Sequence, residues 1–147
     1  MALLTDELDR YGLEERRLGS SDYPTDLPLH EVLVLAKHCA GGLILGFEQT
    51  RVEVGVSKAG TDKERRVATP VGFPTPWNHL EAGILFGLGL PLLVFRESSI
   101  EGGIFDPGVT DVFIHRMPSA PPSASERAGI AAVFLKWQGK VREIYYR

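Results

Sequence analysis

Apolar positions recur at helical spacing in four stretches of the chain, and short apolar or alternating runs lie between them. Leu4, Leu8 and Tyr11 share one face and Gly12 closes the run, which predicts a short opening helix. A modest strand is expected from Leu13 to Leu18. The stretch Gly19-Ser20-Ser21-Asp22-Tyr23-Pro24-Thr25-Asp26 is dense in turn formers and reads as a loop. A second helix has Asp26 as its cap and Pro28 in its first turn. Its stripe is Leu29, Val32, Leu33, Ala36 and Cys39, and Gly41-Gly42 stops it. Leu43 to Phe47 is an unbroken apolar run of strand length, as in strands covered on both faces.

The period then changes. Val52, Val54 and Val56 alternate with Arg51, Glu53 and Gly55 ahead of a polar turn at Gly60 to Lys63, which predicts an inserted flap over about 48–73. Thr75-Pro76 opens a third helix running to about Gly89, with threonine as cap and proline at the first helical position. Pro91 to Phe95 reads as a second buried strand and Val112 to His115 as a weaker one. Ser123-Ala124-Ser125-Glu126 is a capping box opening a last helix over about 123–147, with Ile130, Phe134, Trp137, Val141 and Ile144 as its stripe.

Helices alternating with short apolar strands predict an α/β fold: a three-layer, Rossmann-like domain over 1–147 with a small, mainly parallel sheet. Such folds usually begin with a strand and this chain begins with a helix, so the expectation includes a missing first strand. Ligands of these folds sit at the carboxyl ends of the strands. That brings 19–26, 48–77 and 96–106 around one candidate site.

Composition narrows the function classes. Of 147 residues, 44% are hydrophobic and 24% charged, a globular balance. Sixteen lysines and arginines against 19 acids leave a net charge of -3, which argues against a general nucleic-acid binder. A single cysteine, Cys39, excludes a disulfide scaffold and a cysteine-rich zinc site. The apolar run from Ile84 to Phe95 is too short and too interrupted by glycine and proline to span a membrane. The first residues lack the basic start of a signal peptide, so a cytoplasmic location is expected. The histidines His30, His38, His79 and His115 do not fall at metal-ligand spacing; neither a metal nor another cofactor is expected.

The third helix carries the chemistry. At about 100° per residue, Trp77, Ile84, Leu85 and Leu88 lie near Glu81 on the helical wheel, with Asn78 flanking it. A carboxylate inside an apolar stripe needs a reason. One reason is structural: an ion pair with an arginine such as Arg96, or a bond to the backbone at a strand end. The other is functional: Glu81 faces a ligand cleft as nucleophile or acid/base. Asn78, an amide beside it, would suit a ligand hydroxyl. Trp77 could stack on a base, although a first-turn tryptophan is more often core. Asp22 and Tyr23 could hold a base or ribose, or simply form a turn; Asp22 or His79 could help a base leave, though His79 points away from Glu81 on the wheel. Gly41-Gly42 could let backbone approach a phosphate, or simply cap a helix.

The stretch Trp77-Asn78-His79-Leu80-Glu81-Ala82-Gly83, followed by Leu88-Gly89-Leu90-Pro91-Leu92-Leu93-Val94, resembles the helix-and-strand signature of nucleoside 2-deoxyribosyltransferase-like proteins. Toll/interleukin-1-receptor-like domains, some of which cleave NAD, are similar in outline. The resemblance runs loosely from Gly12 to Pro118 and maps Glu81 onto a glutamate beside the ribose. It implies N-glycosidase, hydrolase or transferase chemistry on a nucleoside, nucleotide or NAD-like ligand, with a homo-oligomer among the expected assemblies and no nucleic-acid polymer or membrane as partner. The lead-in Pro74-Thr75-Pro76-Trp77 departs from the Asp-x-Gly-Thr type often found there. The alternatives are a non-catalytic nucleotide-sensing or assembly module of the same fold, and a truncated, inactive relative.

Overall fold

The computed structural model describes residues 2–17, 28–67, 69–110 and 112–147. In chain order the helices are α1 (Ala2–Arg10), α2 (Pro28–Lys37), α3 (Pro76–Gly87) and α4 (Ala124–Tyr145). The strands are β1 (Gly42–Gly46), β2 (Thr50–Val52), β3 (Val56–Ser57), β4 (Arg65–Arg66), β5 (Val71–Phe73), β6 (Leu92–Arg96) and β7 (Ile114–Arg116). The protein is thus a mixed α/β fold whose parallel sheet has the order β1-β6-β7.

The amide of Gly42 donates to the carbonyl of Pro91 at one end of the β1–β6 ladder, and the amide of Glu97 donates to Gly46 at the other, each at 3.0 Å. Both strands therefore run the same way. β7 continues in parallel register, Val94 opposite Ile114 and Arg96 opposite Arg116. Leu92 to Phe95 are all buried, as the apolar run predicts. β1 differs from expectation: Gly42, Ile44 and Gly46 are buried while Leu43 and Leu45 are half-buried, so only one of its faces is fully covered.

The residues gather into two compact units. One comprises 1–42, 83–92 and 118–147. Within it α1 buries Leu4 and Leu8, and Gly12 at φ +66° turns the chain. α2 buries Val32 and Ala36, while Leu29 of the expected stripe stays exposed. α3 ends in a Schellman turn: Leu90 N–H donates to Leu85 O at 3.0 Å and Gly89 N–H to Phe86 O at 2.9 Å, with Gly89 at φ +70°. α4 starts at a complete capping box. The Ser123 hydroxyl accepts from Glu126 N–H at 3.2 Å, and the Glu126 carboxylate accepts from Ser123 N–H at 2.8 Å. Bonds from Ser119 and Ser123 hold that carboxyl down at about 2. Ile130, Phe134, Trp137 and Val141 form the buried stripe of α4, and Trp137 Nε1 donates to Pro91 O at 2.9 Å.

The strand expected from Leu13 does not form over 13–17. Charges fill its middle and pair with near neighbours, Arg16 with Glu14 at 2.8 Å and Arg17 with Glu15 at 2.7 Å. Those side chains want water on both sides, which leaves the segment no apolar face to lay on a sheet.

The second unit comprises 43–82 and 93–117. Its excursion after β1 is an antiparallel ribbon in two ladders. β2 pairs with β5 (Arg51 opposite Gly72) and β3 with β4 (Val56 opposite Arg66). The ribbon is rooted where Gly72 N–H donates to Ser99 O at 2.8 Å. Below it Phe105, wholly buried, occupies the space beside Gly46, where a Cβ would come within 2.6 Å of its ring. Among the described residues no helix is long and apolar enough to cross a membrane.

Candidate functional site

Thr75 and Asn78 together fix the start of α3. The Asn78 amide N–H of the backbone donates to Thr75 O, and the Thr75 hydroxyl donates to Asn78 Oδ1, both at 3.1 Å. The side-chain amide Nδ2 then donates to Leu45 O at 3.4 Å. Gly42 N–H and Gly46 O point to β6, and successive strand residues alternate, so the Leu45 carbonyl faces the opposite way. Asn78 thus satisfies a carbonyl that the sheet leaves open and fastens α3 to the carboxyl end of β1. This is a backbone role in place of the ligand hydroxyl that the sequence suggested for it.

One turn further on stands Glu81. Asn78 and Ala82 lie on the inward side of α3, and Ala82 is fully buried. Glu81, about 60° from Asn78 by helical geometry, stands at the edge of that buried side. It is half-buried. Among the described residues it makes no hydrogen bond and no ion pair. Arg96, the counter-ion weighed from the sequence, is occupied by the carbonyl of Ile100. With no partner to favour its charge, burial pushes the Glu81 carboxyl above the usual carboxylate range.

Trp77 precedes Glu81 by four residues, on the same side of the helix. It is 42% exposed, where a tryptophan in a first turn would more often be core. Its indole is open to a ligand. His79 points elsewhere. Its ring meets Phe105 edge-on at 5.5 Å, and Gly103, at φ +58°, passes so close that a Cβ would fall 2.7 Å from His79 Nδ1. His79 packs on the 103–105 turn and is not the proton donor of a site at Glu81.

The other sequence candidates separate from this group. Gly41 and Gly42 stand at the amino end of β1, opposite the end that Asn78 holds. A Cβ on Gly41 would lie 2.6 Å from Val141 and 3.2 Å from Trp137; one on Gly42 would lie 2.5 Å from Leu85. Side chains fill the space that a Cβ would need, so close packing explains both glycines. Asp22 and Tyr23 lie outside the described residues.

A further charged group went unnoticed in the sequence. Glu48 follows β1 and Glu97 follows β6. Glu97 Oε2 accepts from the backbone N–H of Glu48 at 2.6 Å, and Glu48 Oε1 pairs with Arg51 Nε at 2.8 Å. Glu48 Oε2 is shut off from solvent with no donor squarely aligned on it. The Ser99 hydroxyl, and after it Arg51, hold the Glu48 carboxyl below its usual range. Gly72 admits this arrangement, since a Cβ there would come within 2.6 Å of Glu48 Oε2. The available signal was an acid close after each apolar strand run, Glu48 next to Phe47 and Glu97 one residue beyond Arg96. The network anchors the ribbon, and its carboxylates are already engaged.

Among the described residues no three histidine, cysteine, aspartate or glutamate side chains gather so as to hold a metal ion. No known family, curated protein or solved structure matches this chain.

Proposed function

We propose that the protein is a Rossmann-like, three-layer domain of the deoxyribosyltransferase-like kind that acts on the N-glycosidic bond of a nucleoside, nucleotide or NAD-like ligand. The observation that carries this reading is Glu81: a half-buried carboxylate without a partner among the described residues, one helical turn from an exposed indole. A carboxylate drawn partly out of water loses hydration that a counter-charge would replace. An unpaired one is kept where charge must develop opposite it.

Breaking a C–N glycosidic bond builds oxocarbenium character at the sugar's anomeric carbon. A desolvated carboxylate stabilises that carbon or captures it as an ester, which water or a second base then resolves. Partial burial raises the basicity of Glu81 and strengthens its field at the sugar. The test is base release from a panel of nucleosides, nucleotides and NAD by the wild type and by Glu81→Gln. Release that falls at least about 100-fold in the variant supports the reading. Equal release by both proteins removes Glu81 from catalysis.

A second reading, a non-catalytic assembly module, draws on the exposed apolar side chains of the same helix, Leu80 at 45% and Phe86 at 51%. It is favoured if neither protein releases base and the chain sediments as an oligomer.

A further inference from the structure

Charge is not spread evenly along the chain. Over 56–67, Lys58, Lys63, Arg65 and Arg66 stand against Asp62 and Glu64, so this stretch carries +2 while the rest of a chain totalling -3 carries -5. The overall charge that argues against nucleic acid is a sum of unlike parts. All four cations are exposed, and among the described residues none of their side chains has a hydrogen bond or an ion pair. Arg51, at the root of the ribbon, is by contrast held by Glu48 at 2.8 Å. From Glu53 to Arg66 no residue is buried, and Val54 is 91% and Val56 50% exposed. A two-stranded ribbon standing alone in water is marginal. The β3–β4 register then places the arginines. Val56 lies opposite Arg66 and Ser57 opposite Arg65. Cross-strand partners share a face and successive residues alternate, so Arg66 stands with Val56 on one face and Arg65 with Ser57 on the other. A flat anionic surface, such as lipid headgroups, meets only one of the two. A groove walled by phosphates meets both.

Independently of Glu81, we infer that the β3–β4 ribbon is a finger that enters the major groove of double-stranded DNA tip-first, with Arg65 and Arg66 on the phosphates of opposite walls and Lys58 and Lys63 leading. A strand layer with side chains on both faces is about 10 Å thick, and the B-form major groove is about 12 Å wide. The major groove of an RNA duplex is too narrow and deep for such an element. Arg65 and Arg66 adjoin the turn that Thr61 closes onto Lys58, so they lie within the depth of the groove when the tip is inserted. Contacts of this kind go to phosphate and give affinity without a choice of sequence. Each phosphate neutralised releases condensed counterions, which makes the binding fall steeply with salt.

Fluorescence anisotropy of a labelled, mixed-sequence DNA duplex, titrated with the full chain between about 50 and 200 mM salt, tests this. Four cations on phosphate set the slope of log K against log salt near about -3.6. A slope shallower than about -2, or no binding at about 50 mM salt, overturns the inference. Arg65→Ser and Arg66→Ser, both at exposed positions, should each weaken binding at least about threefold at low salt and reduce the slope by about 1. A loss at one arginine alone means a one-faced contact and overturns the groove. Phosphatidylserine vesicles, an RNA duplex or single-stranded DNA bound as tightly as the DNA duplex do the same. The charge control is the double variant Lys136→Ser, Lys140→Ser, at exposed positions of α4. A loss there as large as at the arginines moves the contact off the ribbon and overturns the inference. The salt slope and the comparison of probes use the wild type alone, so a misfolded variant does not blunt them.

Discussion

Glu81 sets the residue scale, because the same environment that suits it to chemistry works against folding. Its carboxyl titrates higher in the folded protein than in the unfolded chain, with burial as the cause. A carboxyl raised in this way is most compatible with folding below its unfolded pKa, and that advantage is lost as the pH rises through the folded value. At neutral pH the folded state carries the cost of a half-buried charge on α3 that has no partner among the described residues. Glu81→Gln is therefore expected to raise the melting temperature at pH 7, with the gain shrinking to nothing as the pH falls below the ordinary carboxylate range. Thermal unfolding of both proteins from pH 3 to 8 checks this, and an unchanged or lowered melting temperature at pH 7 contradicts it. Residue identity made Glu81 conspicuous in the sequence; that Arg96, its candidate counter-ion, bonds the Ile100 carbonyl is something no spacing encodes. Asn78 was legible as a neighbour of Glu81 and illegible in its role, because its partner, Leu45, lies 33 positions away in the chain.

At the scale of elements, the legible pieces are those with local signals. Thr75-Pro76 starts α3, the Gly89 turn ends it, and the Ser123–Glu126 box starts α4, each through bonds made within a few residues. The strand expected from Leu13 failed because strand formation depends on a neighbour and a dry face, and four consecutive charges supply neither. The ribbon ladders are shorter still, two and three residues each, and their register comes from pairing across the excursion. The start of β1 shows the reverse case, where ordinary C-cap glycines carry tertiary meaning. Gly41 lies against Val141, Trp137 and the Pro91 carbonyl, so a methyl group there has to displace backbone or a buried ring. Gly41→Ala is expected to destabilise the protein by about 1–3 kcal/mol. Urea unfolding measures this, and a loss under about 0.5 kcal/mol, the usual range of surface changes, would mean the position yields easily.

For the whole molecule, composition spoke only to broad class: a near-neutral globular chain with one cysteine and no span-length apolar helix among its described residues. The partition into two units could not be read in advance. The chain passes between them at 42–43, 82–83, 92–93 and 117–118, so each is assembled from separated stretches. Hydrophobic periodicity reports which face of an element is dry, not which other element dries it. α3 belongs to both, with Asn78 and Glu81 in one stretch and its Schellman turn in the other.

The far end of the ribbon bonds to itself. Thr61 closes onto Lys58, and Gly60 N–H donates to Glu64 Oε2 at 2.6 Å, all on exposed residues. Such a self-contained turn is a natural graft point. Seven extra residues inserted after Asp62 would double the loop at an entropic cost of about 0.6 kcal/mol, a melting shift of roughly 1–3 °C, measurable by calorimetry; a larger drop would mean the tip supports more than itself. An epitope or fluorophore carried there would mark the protein while leaving the parallel strands and the glutamate helix untouched.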